Sequence, residues 1–213
     1  QIRVLHVLGG MNRGGVETWL MHVLRNMDNK RFRFDFMVHT ENPCAYDEEI
    51  HALGSRIIPC LKPSQPWRYA KNFFRIIREH GPYDVVHSHV HHYSGFVLWL
   101  ARLAGAPKRI AHSHSDTRRN DYRAMFLRSA YLRMMKYSLS CNATLGLAAS
   151  HEAAQALYGQ AWGTDPRWRI VYYGVDLAPF SENTNSISIR KELGIAEDAF
   201  VVGHVGRFST VKN

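Results

Sequence analysis

Cysteine is scarce in this chain, with three residues in 213, at positions 44, 60 and 141. The odd count, wide spacing and lack of a C-x-x-C pair argue against both a disulfide framework and a cysteine zinc site. Buried free thiols are the expectation. Also missing is any apolar run long enough to span a bilayer. The first apolar stretch, "IRVLHVL", is too short and too interrupted for a secretory signal, so the expected location is the cytoplasm. There is no internal repeat and no low-complexity tract. Acidic residues are outnumbered, 18 Asp and Glu against 27 Lys and Arg, and the net charge of +9 favours anionic partners. The basic residues are dispersed, and helix-turn-helix, zinc-finger and RNA-platform signatures are lacking. Nucleic acid is therefore not an expected partner, which leaves a phosphate-bearing substrate or a membrane surface.

What the chain does contain is alternation. Short β-rich runs ("IRVLHVL", "RFDFMVH", "RIIPC", "DVVHSH", "KRIAHSH", "ATLGLA", "RIVYY") alternate with longer helical patterns, the signature of βαβ units. In "GVETWLMHVLRNM", Val16, Leu20, Val23, Leu24 and Met27 recur at helical spacing, and "PWRYAKNFFRIIREH" and "SGFVLWLARLAG" are further helices. Right-handed crossovers then predict a Rossmann-like, doubly wound parallel sheet, with ligands at the carboxyl ends of its strands. Arg68, Lys71, Arg75 and Arg78 share one face of "PWRYAKNFFRIIREH", while Trp67, Ala70, Phe74 and Ile77 share another. The apolar side is expected in the core, and the basic stripe offers a peripheral contact with an anionic membrane. Past Phe180 the composition turns polar. Residues 1–180 are expected as one domain, 181–185 as a linker, and 186–213, with a short helix in "SIRKELGI" and a buried strand in "AFVVGHVG", as the opening of a second, truncated Rossmann-like domain.

Strand one opens into "GGMNRGGVE", whose glycines let backbone approach a ligand at a helix amino terminus. The spacing fits neither G-x-G-x-x-G nor the P-loop, so no dinucleotide or ATP cofactor is expected. Histidines crowd the next strand ends: His87, His89, His91 and His92, then His112 and His114. No carboxylate or cysteine joins them at metal spacing, so no metal site is expected. His114 stands where a substrate hydroxyl would be bound. Arg207 and Lys212, beyond the last strand, offer a planar fork and a point charge suited to a diphosphate.

Together, "GGVE", "DVVHSH", "RIAHSHS", "YYGVDLAPF" and "VGRFSTVKN", in this order along the whole chain, resemble the retaining, nucleotide-sugar-dependent glycosyltransferases of the GT-B fold, family 4. The resemblance implies an amino-terminal acceptor domain followed by a donor domain. It implies transfer of a sugar from a nucleotide-diphosphate sugar, as co-substrate, to a saccharide or lipid-linked acceptor in exopolysaccharide, capsule or glycolipid synthesis. By the same resemblance His114 contacts the donor sugar, Gly14 and Gly15 approach phosphate or acceptor, and Arg207 and Lys212 hold the diphosphate. Glu17, His89, Ser150, Gly174 and Asp176 fall on the acceptor or cleft side. Tyr173 stands where the family motif has asparagine. The family's pair of glutamates belongs to a second domain whose remainder is not in these residues, and the chain alone is expected to transfer no sugar. Two other readings share these features: a nucleotide-sugar epimerase of the same fold, and a non-catalytic sugar-phosphate-binding module.

Overall fold

A computed structural model describes residues 1–118, 126–160, 162–178, 189–196 and 198–203. The chain divides into two compact units, Gln1–Val175 and Asp176–Asn213. The first unit holds seven strands: β1 (Ile2–Leu8), β2 (Phe32–Val38), β3 (Arg56–Pro59), β4 (Val85–Ser88), β5 (Lys108–Ser113), β6 (Leu145–Ala148) and β7 (Trp168–Ile170). Among the described residues its α-helices are α1 (Gly15–Asn26), α2 (Asp47–Ala52), α3 (Pro66–His80), α4 (Ser94–Leu103), α5 (Phe126–Asn142) and α6 (His151–Tyr158). All strand pairs are parallel, in the order β3-β2-β1-β4-β5-β6-β7. The expected doubly wound sheet is present, and its order reverses between β1 and β4, the point at which such sheets open a crevice at the strand carboxyl ends.

Alternation along the strands sorts the core into two layers. Leu5, Val7, Val86 and Ala111 pack with Tyr69, Phe73 and Ile76 of α3 and Val97 and Leu98 of α4. Val4, Leu8, Phe34 and Phe36 pack with Leu20, Met21 and Leu24 of α1 and Ile50 of α2. Each large side chain so buried contributes about 1.5–3 kcal/mol against the entropy of ordering the chain. Between α4 and α5 the backbones come close: a methyl group at Gly95 would strike the main chain of Met135, and Ser138 Oγ donates to the Gly95 carbonyl at 2.8 Å. In β2 a carboxylate is buried among apolar neighbours. Asp35 is 1% exposed and accepts hydrogen bonds from Arg56 Nη2 at 2.6 Å, Arg56 Nε at 3.0 Å and Tyr83 Oη at 2.9 Å.

Four expectations need correction. The inward stripe of α3 is Tyr69, Phe73 and Ile76, spaced i, i+4, i+7, whereas Trp67 is 87% and Phe74 38% exposed. Ala70 and Ile77 are half-buried at the edge of the stripe; Trp67, in the first turn, reaches past it. The last strand stops at Ile170, so Tyr172 and Tyr173 follow it in irregular chain. Of the three thiols only Cys60 is buried, and Cys141 is exposed near the end of α5. In the second unit α7 (Ile189–Glu192) forms within the expected helix and is followed by Gly194 at φ +65°. Of the strand expected in "AFVVGHVG", residues 199–203 are described and carry no strand, with Phe200 94% and Val202 82% exposed, and residues 204–206 lie outside the described residues. A parallel strand needs a neighbour to pair with and a layer to cover it, and among the described residues of this unit there is neither.

Candidate active site at the strand carboxyl ends

β1 ends at Leu8, and the chain runs from Gly9 through the glycine loop into α1, whose amino terminus has Gly14 as a cap residue with no side-chain hydrogen bond. The first-turn carboxylate of Glu17 folds back over Gly14: a methyl group there would meet Glu17 Oε2 and push that side chain aside. A methyl group at Gly9 or Gly15 would meet nothing within 4 Å, which leaves backbone open to an incoming ligand. The α1 terminus therefore already carries one negative group, placed where the helix dipole favours it.

Next to this loop, alternate residues of β1, β4 and β5 and of the chain just beyond them bring five histidines to one face. His6 and His87 are register partners, and His89, His112 and His114 continue the pattern. His6 Nδ1 lies 3.0 Å from His89 Nε2, and His89 Nδ1 lies 2.9 Å from His114 Nε2. His114 Nδ1 is hydrogen-bonded to the Tyr173 hydroxyl. A second pair joins His87 Nε2 to His112 Nδ1 at 3.2 Å, with the rings stacked. Trp19 of α1 roofs the group, edge-on to His112 at 5.2 Å and stacked on Tyr173 at 4.9 Å. Two buried ring nitrogens, His6 Nε2 and His112 Nε2, have no hydrogen-bond partner among the described residues.

Burial keeps these imidazoles neutral. It pushes His6 down to about 3, helped by the charge His112 would carry, and His112 down to about 4. His114 falls to about 2 for the same reason, with His112 and His91 adding to it. His87 and His89 are held well below the usual imidazole range by burial and then by their histidine neighbours. Tyr173 is raised to about 12 by burial first and the Glu17 carboxylate second. Two overlapping triplets, His6/His87/His89 and His89/His112/His114, have ring nitrogens within 4.8 Å of one another, so a divalent ion could be held there only by giving up the hydrogen bonds just described.

Among the residues singled out from sequence, His89 and His114 are in direct contact, and Glu17 lies close enough to Tyr173 to raise its pKa. Ser150 is the amino cap of α6, its Oγ accepting from Ala153 N at 3.2 Å, so its hydroxyl is already engaged. Gly174 is exposed after β7, and Asp176, in the second unit, accepts from Ala178 N at 3.0 Å. Arg207 and Lys212 lie outside the described residues. Arg68, Lys71, Arg75 and Arg78 line a groove along α3 together with Lys62, Asn72 and Phe74. His6, Trp19 and the Tyr173 contact were not anticipated. The alternating histidines of strands four and five were visible in the sequence, but which strand faces them depends on register.

A doubly wound parallel sheet with a glycine loop and a polar cluster at its switch point is the frame of a nucleotide- or sugar-handling α/β protein. The chain belongs to Glycosyltransferase Family 4, whose model matches residues 13–179. EpsF of Bacillus subtilis (strain 168), which carries the name of a glycosyltransferase, is 39% identical over 216 residues, covering 100% of this chain and 56% of that protein. The capsular polysaccharide biosynthesis glycosyltransferase CapH of Staphylococcus aureus is 26% identical over 215 residues, covering 100% of this chain and 55% of its own. This chain thus spans about half the length of the curated relatives it matches. HepE of Anabaena, solved with UDP and glucose, superposes with a TM-score of 0.73 at 18% identity, covering 98% of this chain and 54% of that one. At that identity the likeness speaks for the fold.

Proposed function

We propose that the protein carrying this chain transfers a sugar, with retention, from a nucleotide-diphosphate sugar to a saccharide or lipid-linked acceptor during exopolysaccharide, capsule or glycolipid synthesis. The observation that carries the reading is the polar cluster at the β1/β4 switch point in a chain of this family. EpsF and CapH bear glycosyltransferase names, CapH in capsule synthesis, and HepE holds UDP and glucose on the same fold. In this reading His114 meets the donor sugar near its reacting carbon, and Tyr173 must yield its place on the ring for that to happen. Open backbone at Gly15 approaches phosphate or acceptor. The Glu17 carboxylate over Gly14 suits a sugar hydroxyl, and His89, Gly174 and Asp176 belong to the acceptor or cleft side. Ser150 contributes there by fixing the start of α6. Arg207 and Lys212 hold the diphosphate and stabilise the charge developing on the leaving group. The basic groove of α3 adds a peripheral contact with anionic lipid, where a lipid-linked acceptor would be found.

The test is transfer by the full-length protein from a panel of nucleotide sugars, with the anomeric configuration of the product read by NMR. His114→Ala is expected to lower kcat about 100-fold or more, the scale for losing one preorganised donor, with the fold intact. Near-normal turnover with a lowered melting temperature would make His114 a structural residue. Release of an epimerised nucleotide sugar without any acceptor would replace the transferase reading altogether.

A further inference from the structure

The reading above gives the donor sugar to His114 and puts His89 on the acceptor or cleft side, but the fold joins these two in a chain that ends at the buried His6. His114 has no free ring nitrogen: Nε2 faces His89 Nδ1 at 2.9 Å and Nδ1 meets the Tyr173 hydroxyl. His89 has none either, because its Nε2 faces His6 Nδ1 at 3.0 Å. A neutral imidazole has one N–H and one lone pair, so three neutral rings in series have only two hydrogen-bonded arrangements. Either every proton sits on Nδ1 and points outward, or every proton sits on Nε2 and points inward.

The inner end of the chain decides between them. At the inner end His6, 2% exposed, has Nε2 buried without a partner among the described residues. The inward arrangement would leave an N–H stranded there, and the outward one leaves a lone pair. Orphaned buried N–H groups are the rarer and more costly of the two. At the outer end the Tyr173 hydroxyl can accept from His114 Nδ1 as readily as donate to it, so this end accommodates the outward arrangement. The inner end therefore sets the protons on Nδ1.

We propose that His6 and His89 are positioning residues that lock His114 as the Nδ1–H tautomer, so that the ring offers a hydrogen-bond donor, and never a base, to an oxygen of the bound sugar. Tyr173 is the placeholder for that oxygen in the free protein. The proposal rests on the preceding reading for its ligand and on the fold alone for the lock. Burial supports it, since His6, His89 and His114 all stay neutral at physiological pH and the series is not interrupted by a second proton on any ring.

The experiment is long-range ¹H–¹⁵N NMR on ¹⁵N-histidine-labelled full-length protein at neutral pH, for the wild type and Tyr173→Phe. The expected result is that His6, His89 and His114 all carry their protons on Nδ1, and that His114 keeps its proton there when the tyrosine hydroxyl is removed. A proton on Nε2 of His114 overturns the lock, as does a switch to Nε2 in Tyr173→Phe, which would make the tyrosine the controlling group. Stoichiometric uptake of zinc chloride with loss of the Nδ1–H signals overturns it also, in favour of a metal centre. Titration with UDP-glucose is expected to perturb the His114 Nδ1 signal and to release Tyr173. If the tautomers are as stated and neither UDP-glucose nor any other nucleotide sugar in the transfer panel moves that signal, the ligand half is overturned while the lock stands. The two failures are thereby told apart.

Discussion

Asp35 shows how one residue can carry a disproportionate share of the stability. Burial alone would raise its pKa, but the hydrogen bonds from Arg56 and Tyr83 outweigh it and hold the carboxyl below its usual range. Because the folded value is depressed, the contribution is present above the unfolded pKa of about 3.9 and is lost as pH falls through the lower folded value. Asp35→Asn is expected to destabilise the protein by about 3 kcal/mol, the lower end for breaking a buried pair, since the Arg56 side chain is 34% exposed and can rehydrate. A urea midpoint shift that, multiplied by an unchanged m, amounts to less than about 1 kcal/mol would make the network ornamental. Asp35 and His6 share a difficulty for anyone reading the chain: each is a polar residue inside an apolar strand, and its partners arrive from other strands. His114 drew attention because it stands just past a strand end, where chemistry is expected, and the structure places it in contact with His89 and Tyr173. His6 did not, since only the pairing of β1 with β4 turns it toward His89.

Elements were easier to read than contacts, and for a physical reason. Strands covered on both faces carry continuous apolar runs, so β1, β2 and β3 fall where those runs lie. Helix α3 has the bounds its pattern suggested, Pro66 to His80, but the side it buries was misassigned because two aromatic stripes compete on it. What α3 leaves outside is consequential. Trp67 and Phe74 line an apolar groove of about 170 Å³ with Phe96, Trp99 and Leu103, beside the groove that Arg68, Lys71, Arg75 and Arg78 line. Aromatic rings next to a basic stripe suit the interface of an anionic bilayer. Each basic residue near such a surface is worth about 1 kcal/mol, so Arg75→Gln with Arg78→Gln should weaken partitioning onto phosphatidylserine vesicles by roughly 30-fold. Trp67→Ala should weaken binding to neutral and anionic vesicles alike. Sedimentation showing equal binding to both vesicle types in the unaltered protein would remove the electrostatic argument. Helices α2 and α6, too short for a period to declare itself, were legible only in the structure.

For the molecule as a whole, the buried histidines set a limit on acid stability. Burial lowers the pKa of His6, His39, His87, His89, His112 and His114, so at mildly acidic pH each of them binds a proton only when the chain unfolds. The sign follows from linkage: between the unfolded pKa of about 6.5 and the lowered folded values the unfolded state holds more protons, so stability rises with pH and falls on acidification. Each such histidine removes about 1.4 kcal/mol per pH unit below 6.5, and six together remove on the order of 8 kcal/mol per unit. Against a domain stability of roughly 5–15 kcal/mol, the fold is expected to collapse one to two pH units below 6.5, well before the Asp35 carboxyl is protonated. Circular dichroism across an acid titration should therefore place the midpoint near pH 5. Calorimetry in buffers of differing ionisation enthalpy should find uptake of about five to six protons on unfolding near pH 5.5, the number these histidines require. A midpoint below about pH 4, with uptake of one or two protons, would mean that carboxylates govern the transition. The histidine cluster would then be hydrated and open to protons, and the neutrality on which the His114 lock depends would be lost with it.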